Sequence, residues 1–104
     1  MSKSIITSVD KSGVAGDNGF AVDFRSGDYV FPVVVKMIIK KIQAFNISAV
    51  EFREETSFQW TAIPVNTADV DVSLENYLNK QLVFRAVNGG DYCSAYFFVG
   101  VIPD

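Results

Sequence analysis

Apolar and polar residues alternate along much of the chain, and this pattern predicts β-strands. Residues 20–25 place Phe20, Val22 and Phe24 on one side, with a small or charged residue after each of them. A period of two is typical of a strand that buries one face and exposes the other. The same reasoning predicts strands at residues 4–9 and 69–74, and a hairpin of residues 47–53 and 57–63.

The end of the chain predicts a second hairpin. Residues 81–87 and 92–102 both alternate, and the intervening residues 88–90 read Asn-Gly-Gly. Asn-Gly or Gly-Gly supplies the positive φ angles that two-residue hairpin turns require. A turn centred on Asn88-Gly89 would pair Phe84 with Cys93, and one centred on Gly89-Gly90 would pair it with Ala95. Either turn puts the apolar faces of the two arms on the same side.

Residues 29–45 fit two templates. Read as a strand, they carry a wholly apolar face, and read as a helix they carry a polar stripe opposite an apolar one. The β-branched residues between 33 and 42 favour the strand, with Pro32 at its start or on a sheet edge. One short helix remains the alternative in two places, residues 32–45 and 74–80.

The spacing of these elements predicts a single all-β domain over residues 1–104. Seven or eight strands, about ten residues apart and separated by turn residues, are typical of an antiparallel β-sandwich. We expect the immunoglobulin-like or the jelly-roll type. The composition agrees, because 15 Val and 8 Ile against 3 Leu and 2 Met favour strands over helices.

Composition also excludes most catalytic and metal chemistry. The chain has no histidine and one cysteine, Cys93, which falls on the predicted core face and is expected to be an inert buried thiol. Asp69, Asp71 and Ser73 resemble the start of a calcium loop, but Leu74 stands where that loop needs glycine. We therefore predict no catalytic residue, no metal, no cofactor and no enzymatic activity.

Charge and hydropathy narrow the range of partners. The net charge is −3, and the lysines of residues 36–41 are too few to make an acidic domain bind nucleic acid generally. No apolar run is long enough to cross a bilayer or to form a signal-peptide core. The sequence thus predicts a soluble protein made in the cytoplasm, with neither a nucleic-acid partner nor a membrane span.

The last predicted strand lacks a polar face. Tyr92, Tyr96 and Phe98 lie on its non-core side, where a strand facing water should carry polar residues. Either another part of the domain covers these rings or they form a contact surface, since interfaces are rich in aromatic residues. Together with Trp60 they are the candidate interface or ligand platform.

These observations favour a non-catalytic structural module that packs as a subunit of a larger assembly, through self-association or with other subunits. Small β-domains without disulfides are common among virion components such as minor capsid, decoration or tail-associated proteins, so this class of assembly is the expectation. The alternative is a β-sandwich that binds carbohydrate or another small ligand, with Trp60, Tyr92 or Tyr96 stacking on the sugar.

Overall fold

Eight strands form two four-stranded antiparallel sheets in the computed structural model, which describes residues 19–25 and 27–102. In order across the sheet, sheet I contains β1 (Gly19–Asp23), β8 (Ser94–Val101), β3 (Met37–Phe45) and β6 (Val72–Ser73). Sheet II contains β2 (Tyr29–Pro32), β7 (Gln81–Val87), β4 (Ala49–Glu54) and β5 (Thr61–Pro64). The predicted all-β sandwich is confirmed; the strand predicted at residues 4–9 lies outside the described residues.

The pairing of the strands identifies which kind of sandwich this is. Strand β1 pairs with β8, β2 with β7, β3 with β6 and β4 with β5. This is the pairing of one long hairpin, with its turn between β4 and β5, wrapped around itself into two sheets. The chain is therefore a jelly roll, the second of the two predicted types.

The predicted C-terminal hairpin is wrong, although both of its strands exist. Strand β7 belongs to sheet II and β8 to sheet I, so residues 88–93 cross from one sheet to the other. This connection is tied to the end of β3, because the Gly90 amide donates to the Asn46 carbonyl and the Asn46 side chain donates to the Asp91 carbonyl. Both apolar faces point inward, and Phe84 meets Phe97 edge-on across the core, with 5.3 Å between ring centroids.

Residues 29–45 form two strands in different sheets, and the helix alternative over residues 32–45 is wrong. Pro32 ends β2, an edge strand of sheet II, as its missing N–H favours. In β3 the pairing with β8 shifts between Ile39 and Lys41, which makes Lys40 the extra residue of a β-bulge. The bulge allows both Ile39 and Ile42 to be buried, although strict alternation would separate them.

The strand predicted at residues 69–74 is much shorter in the structure. Only Val72–Ser73 pairs with β3, because Asp69 and Asp71 have φ angles of 42° and 47°. This left-handed conformation is incompatible with an extended strand. The alternative helix in residues 74–80 is present only as a single 3-10 turn, Glu75–Tyr77.

The first predicted hairpin is present as β4 and β5, but its second strand begins at Thr61 rather than at residue 57, and it buries Ile63 rather than the predicted face of Phe58, Trp60 and Ala62. Val50 pairs with Ile63 and Phe52 with Thr61. Val50, Phe52 and Ile63 are buried, which leaves Trp60 outside the core. Cys93 is buried, as predicted.

Aromatic rings join the two sheets in the core. Phe20 of β1 stacks between Phe31 and Phe97, at centroid distances of 5.1 and 5.2 Å. The rings of Phe31 and Phe97 in turn meet Phe84 edge-on. Among the described residues no polar or charged side chain is buried in this core, so hydrophobic burial and ring packing hold the sheets together. No helix in the described part of the chain has the length and apolar character needed to cross a membrane.

Candidate functional site

The outer surface of sheet I carries a group of aromatic side chains. The pairing register places Tyr96 of β8 between Ala21 of β1 and Gln43 of β3. The neighbouring rows pair Phe98 with Lys41 and Ser94 with Phe45. We call the surface formed by Phe45, Tyr96 and Phe98, together with these row partners, the aromatic face.

Two of the three rings of the aromatic face, Phe45 and Tyr96, are exposed to solvent, and Phe98 is half-buried. Phe45 is 60% exposed and Tyr96 is 39% exposed. Tyr96 and Phe98 meet edge-on, with centroids 4.9 Å apart and ring planes inclined by 68°. The Lys41 ammonium lies 5.7 Å from the Phe98 centroid, which leaves a positive charge beside the apolar surface.

Small residues on β1 make room for the Tyr96 ring. A Cβ atom at Gly19 would lie 2.6 Å from the Cε2 atom of that ring, so only glycine allows the ring to lie across the strand. Beside the ring is a depression of about 320 Å³, bordered by Ala21, Phe45 and Tyr96 among others. The aromatic face is therefore a shaped surface, with a shallow recess beside the Tyr96 ring.

Tyr92 lies just before β8, next to the Ala21 and Ser94 side of the aromatic face. It is 69% exposed, and the guanidinium of Arg25 stands 5.7 Å from its ring centroid. Arg25 also makes two-pronged hydrogen bonds to Asp23, and these bonds hold the pKa of the Asp23 carboxyl below its ordinary value. Tyr92 and Arg25 border a second depression of about 340 Å³ next to β1.

Trp60 lies on the opposite side of the molecule, on sheet II. The guanidinium carbon of Arg85 stacks 3.7 Å from the Trp60 ring centroid, and that of Arg53 lies 5.1 Å away. Arg85 is itself held by Glu51 at 2.7 Å. The structure thus separates Trp60 from Tyr96 and Phe98, and gives its ring a stacking partner within the chain.

Replacing Trp60 with alanine is expected to lower the free energy of unfolding by about 1–2 kcal/mol, because a half-buried ring and its stacking on Arg85 are both lost. Urea denaturation followed by circular dichroism measures the change. Trp60→Phe keeps a ring in place and should recover about half of the loss. An alanine variant as stable as the parent would contradict a structural role for this ring.

Sequence reasoning missed Phe45 and Phe58 as surface residues. Only the helix alternative for residues 32–45 assigned Phe45 to a face, the apolar one, and the bulge at Lys40 that determines its true direction leaves no clear pattern in the sequence. Phe58 was grouped with Trp60 as part of a strand, whereas it lies in the loop before β5 and is 94% exposed.

The aromatic face offers surface area rather than reactive groups. Its side chains are three rings, one of them the Tyr96 phenol, together with the Ala21 methyl, the Gln43 amide, the Ser94 hydroxyl and the Lys41 ammonium. No group of three or more His, Cys, Asp or Glu side chains within residues 19–25 and 27–102 is placed to hold a metal ion. Such a surface can bury apolar area against a partner.

Comparison of the chain with models of protein families, with curated proteins and with solved structures finds no match.

Proposed function

We propose that this chain is a non-catalytic subunit that packs into a larger protein assembly through the aromatic face of sheet I. A sheet surface that faces only water normally carries polar side chains. Here Phe45 and Tyr96 are substantially exposed beside a recess, and this single observation supports the proposal. Aromatic residues are enriched in the buried centres of interfaces because they bury a large area at little entropic cost.

The jelly-roll topology is compatible with this function without establishing it. Jelly-roll sandwiches occur both in viral capsid proteins and in lectins, so the fold alone does not choose between an assembly subunit and a sugar binder. Among assemblies we favour a virion component, such as a minor capsid, decoration or tail-associated protein, for a sandwich of this size.

Carbohydrate or small-ligand binding is the second candidate, because Tyr96 borders a recess. The ring geometry favours a protein partner instead. The planes of Tyr96 and Phe98 are inclined by 68°, which prevents both rings from lying flat on one sugar, and Arg85 already stacks on Trp60. Sugar binding by the full chain on a glycan array, lost in Tyr96→Ala, would favour the second candidate.

The assembly proposal is tested in the native source of the protein. The full chain, detected with an antibody after gel filtration of a gentle lysate, should elute far above its 11.5 kDa mass. Tyr96→Ser should return it to the monomer position. Val30→Ser is the control, because Val30 is 47% exposed but lies on sheet II. Elution of the parent chain as a monomer, or an unchanged position for Tyr96→Ser, would overturn the proposal.

A further inference from the structure

Strand β3 is the longest strand that the structure describes, yet its outer edge has little strand beside it. It spans nine residues, Met37–Phe45, and one of its edges pairs with β8 along its length. On the other edge, β6 pairs only with Ile38 and Ile39. A long apolar strand with free N–H and C=O groups along one edge is a template on which a strand of another chain can pair.

The residues on either side of β6 cover this edge with single hydrogen bonds instead of a strand. The Val70 amide donates to the Lys40 carbonyl at 2.8 Å, and the Leu74 amide donates to the Met37 carbonyl at 2.8 Å. We call residues 66–74, which supply these bonds, the covering segment. It binds the backbone of β3 without forming a second long strand.

Asn66 covers the end of the edge that lies farthest from β6. Its amide donates to the Ile42 carbonyl at 2.7 Å. Its side chain binds both backbone groups of Ala44, since Oδ1 accepts from the Ala44 amide at 2.8 Å and Nδ2 donates to the Ala44 carbonyl at 3.3 Å. A carboxamide carries a donor and an acceptor, as a peptide group does, so the Asn66 side chain takes the place of a neighbouring strand at Ala44.

The covering segment is itself a poor edge for further pairing. Asn66, Asp69 and Asp71 have φ angles of 59°, 42° and 47°. These left-handed residues interrupt any extended row of N–H and C=O groups. Asp69 and Asp71 are also exposed, which places negative charge along the outside of the sheet. Irregular backbone and charged side chains at an edge both oppose pairing with another chain.

We propose that the covering segment protects the outer edge of β3 against the addition of a strand from another chain, and that the Asn66 side chain provides this protection at Ala44. The inference is independent of the proposed function, because it concerns an edge of sheet I and not its aromatic face. Strand addition has no fixed end point, since each added strand presents a new edge. A covered edge therefore keeps the chain from open-ended aggregation.

Amide hydrogen exchange of the purified full chain, followed by NMR, tests the protection directly. Asn66→Gly keeps a residue that adopts a positive φ at no steric cost and removes both side-chain bonds to Ala44. The Ala44 amide should then exchange about tenfold faster, because it loses its acceptor and the opposing donor is lost with it. The Glu55 amide, which donates to the Gln81 carbonyl of sheet II, should exchange as in the parent.

Asn79→Gly is the matched control. Asn79 also has a positive φ, 67°, but its side chain makes no hydrogen bond to the described part of the chain. The substitution removes the same carboxamide from the same kind of backbone conformation and leaves the edge of β3 covered. Exchange of the Ala44 amide in this variant should match that of the parent.

The consequence of an uncovered edge is measured as aggregation through strand pairing. Asn66→Gly should form aggregates that bind thioflavin T at micromolar concentrations where the parent and Asn79→Gly stay soluble. Trp60→Ala is the control for lost stability, because it removes a ring from sheet II and leaves the edge of β3 covered. At temperatures chosen to give both variants the same unfolded fraction, Asn66→Gly should aggregate faster than Trp60→Ala.

Two results would overturn the inference. Unchanged exchange of the Ala44 amide in Asn66→Gly would mean that the Asn66 side chain does not protect the edge. Aggregation of Asn66→Gly that is no faster than that of Trp60→Ala, at the same unfolded fraction, would mean that aggregation follows unfolding and that the edge needs no protection. Both results leave the proposed function untouched, because that proposal is decided by Tyr96→Ser on the aromatic face.

Discussion

Replacing Phe84 with alanine is expected to lower the free energy of unfolding by about 3–5 kcal/mol. The Phe84 side chain is 1% exposed and meets rings from three other strands. Its centroid lies 6.1 Å from that of Phe31, 5.5 Å from that of Phe52 and 5.3 Å from that of Phe97. Alanine would leave a cavity between the sheets that these rings cannot fill without leaving their packed positions.

Guanidinium denaturation of the full-length variant measures this loss, with Trp60 fluorescence and circular dichroism as independent signals. The matched control is Phe58→Ala, the same substitution at a ring that is 94% exposed, which should change stability by less than about 0.5 kcal/mol. Domains of this size have a total stability of about 5–15 kcal/mol, so the expected loss is a large fraction of the total and is easily measured. Equal stability of the two variants would contradict the position of Phe84 at the centre of the core.

Alternation predicted the buried faces of β1, β7 and β8 correctly, but it did not predict which strands pair with them. Alternation in residues 81–87 and 92–102 correctly identified Phe84 and Phe97 as core residues. The same alternation is satisfied by a hairpin within one sheet and by a crossing between two facing sheets, because both bury the same side of each strand. The crossing is selected by contacts distant in sequence, such as the pairing of β1 with β8, and local pattern contains no information about them.

The bulge in β3 is a second feature that the sequence pattern could not predict. Residues 37–45 fitted both a strand and a helix because Lys40 interrupts the period of two. With Lys40 set aside, Met37, Ile39, Ile42 and Ala44 fall on one side and the strand pattern becomes regular. An extra residue of this kind is determined by pairing with a neighbouring strand, so it becomes visible only once the sheet is known.

The sequence identified only part of the candidate site, again because a local pattern does not show which strands lie side by side. Tyr96 and Phe98 stood out because a predicted strand carried rings on both of its faces. Phe45 did not, since its direction depends on the bulge, and Trp60 was grouped with the other rings although it lies on the opposite sheet. A single strand thus predicted the existence of the surface, and the order of strands in the sheet was needed to define its extent.

Replacing Gly19 with alanine is expected to lower the free energy of unfolding by about 1–3 kcal/mol, as overpacking does elsewhere in tightly packed sites. The added Cβ would lie 2.4 Å from the Phe97 carbonyl oxygen and 2.6 Å from the Tyr96 ring. A ring can rotate away, but a backbone oxygen within the pairing of β1 and β8 cannot move without disturbing that pairing. The edge strand should therefore be pushed from sheet I.

Gly90→Ala is the matched control for this prediction, because a Cβ there would have no neighbour closer than 3.7 Å. Its stability should lie within about 0.5 kcal/mol of the parent in the same denaturation assay. Displacement of Tyr96 should also reshape the recess, so Gly19→Ala should weaken association of the folded variant with the larger complex of the native lysate. A variant that keeps both the parent stability and the parent association would contradict the close approach of β1 to the Tyr96 ring. Loss of association by a variant that is still folded, by contrast, would tie the absence of a side chain at position 19 to the shape of the aromatic face.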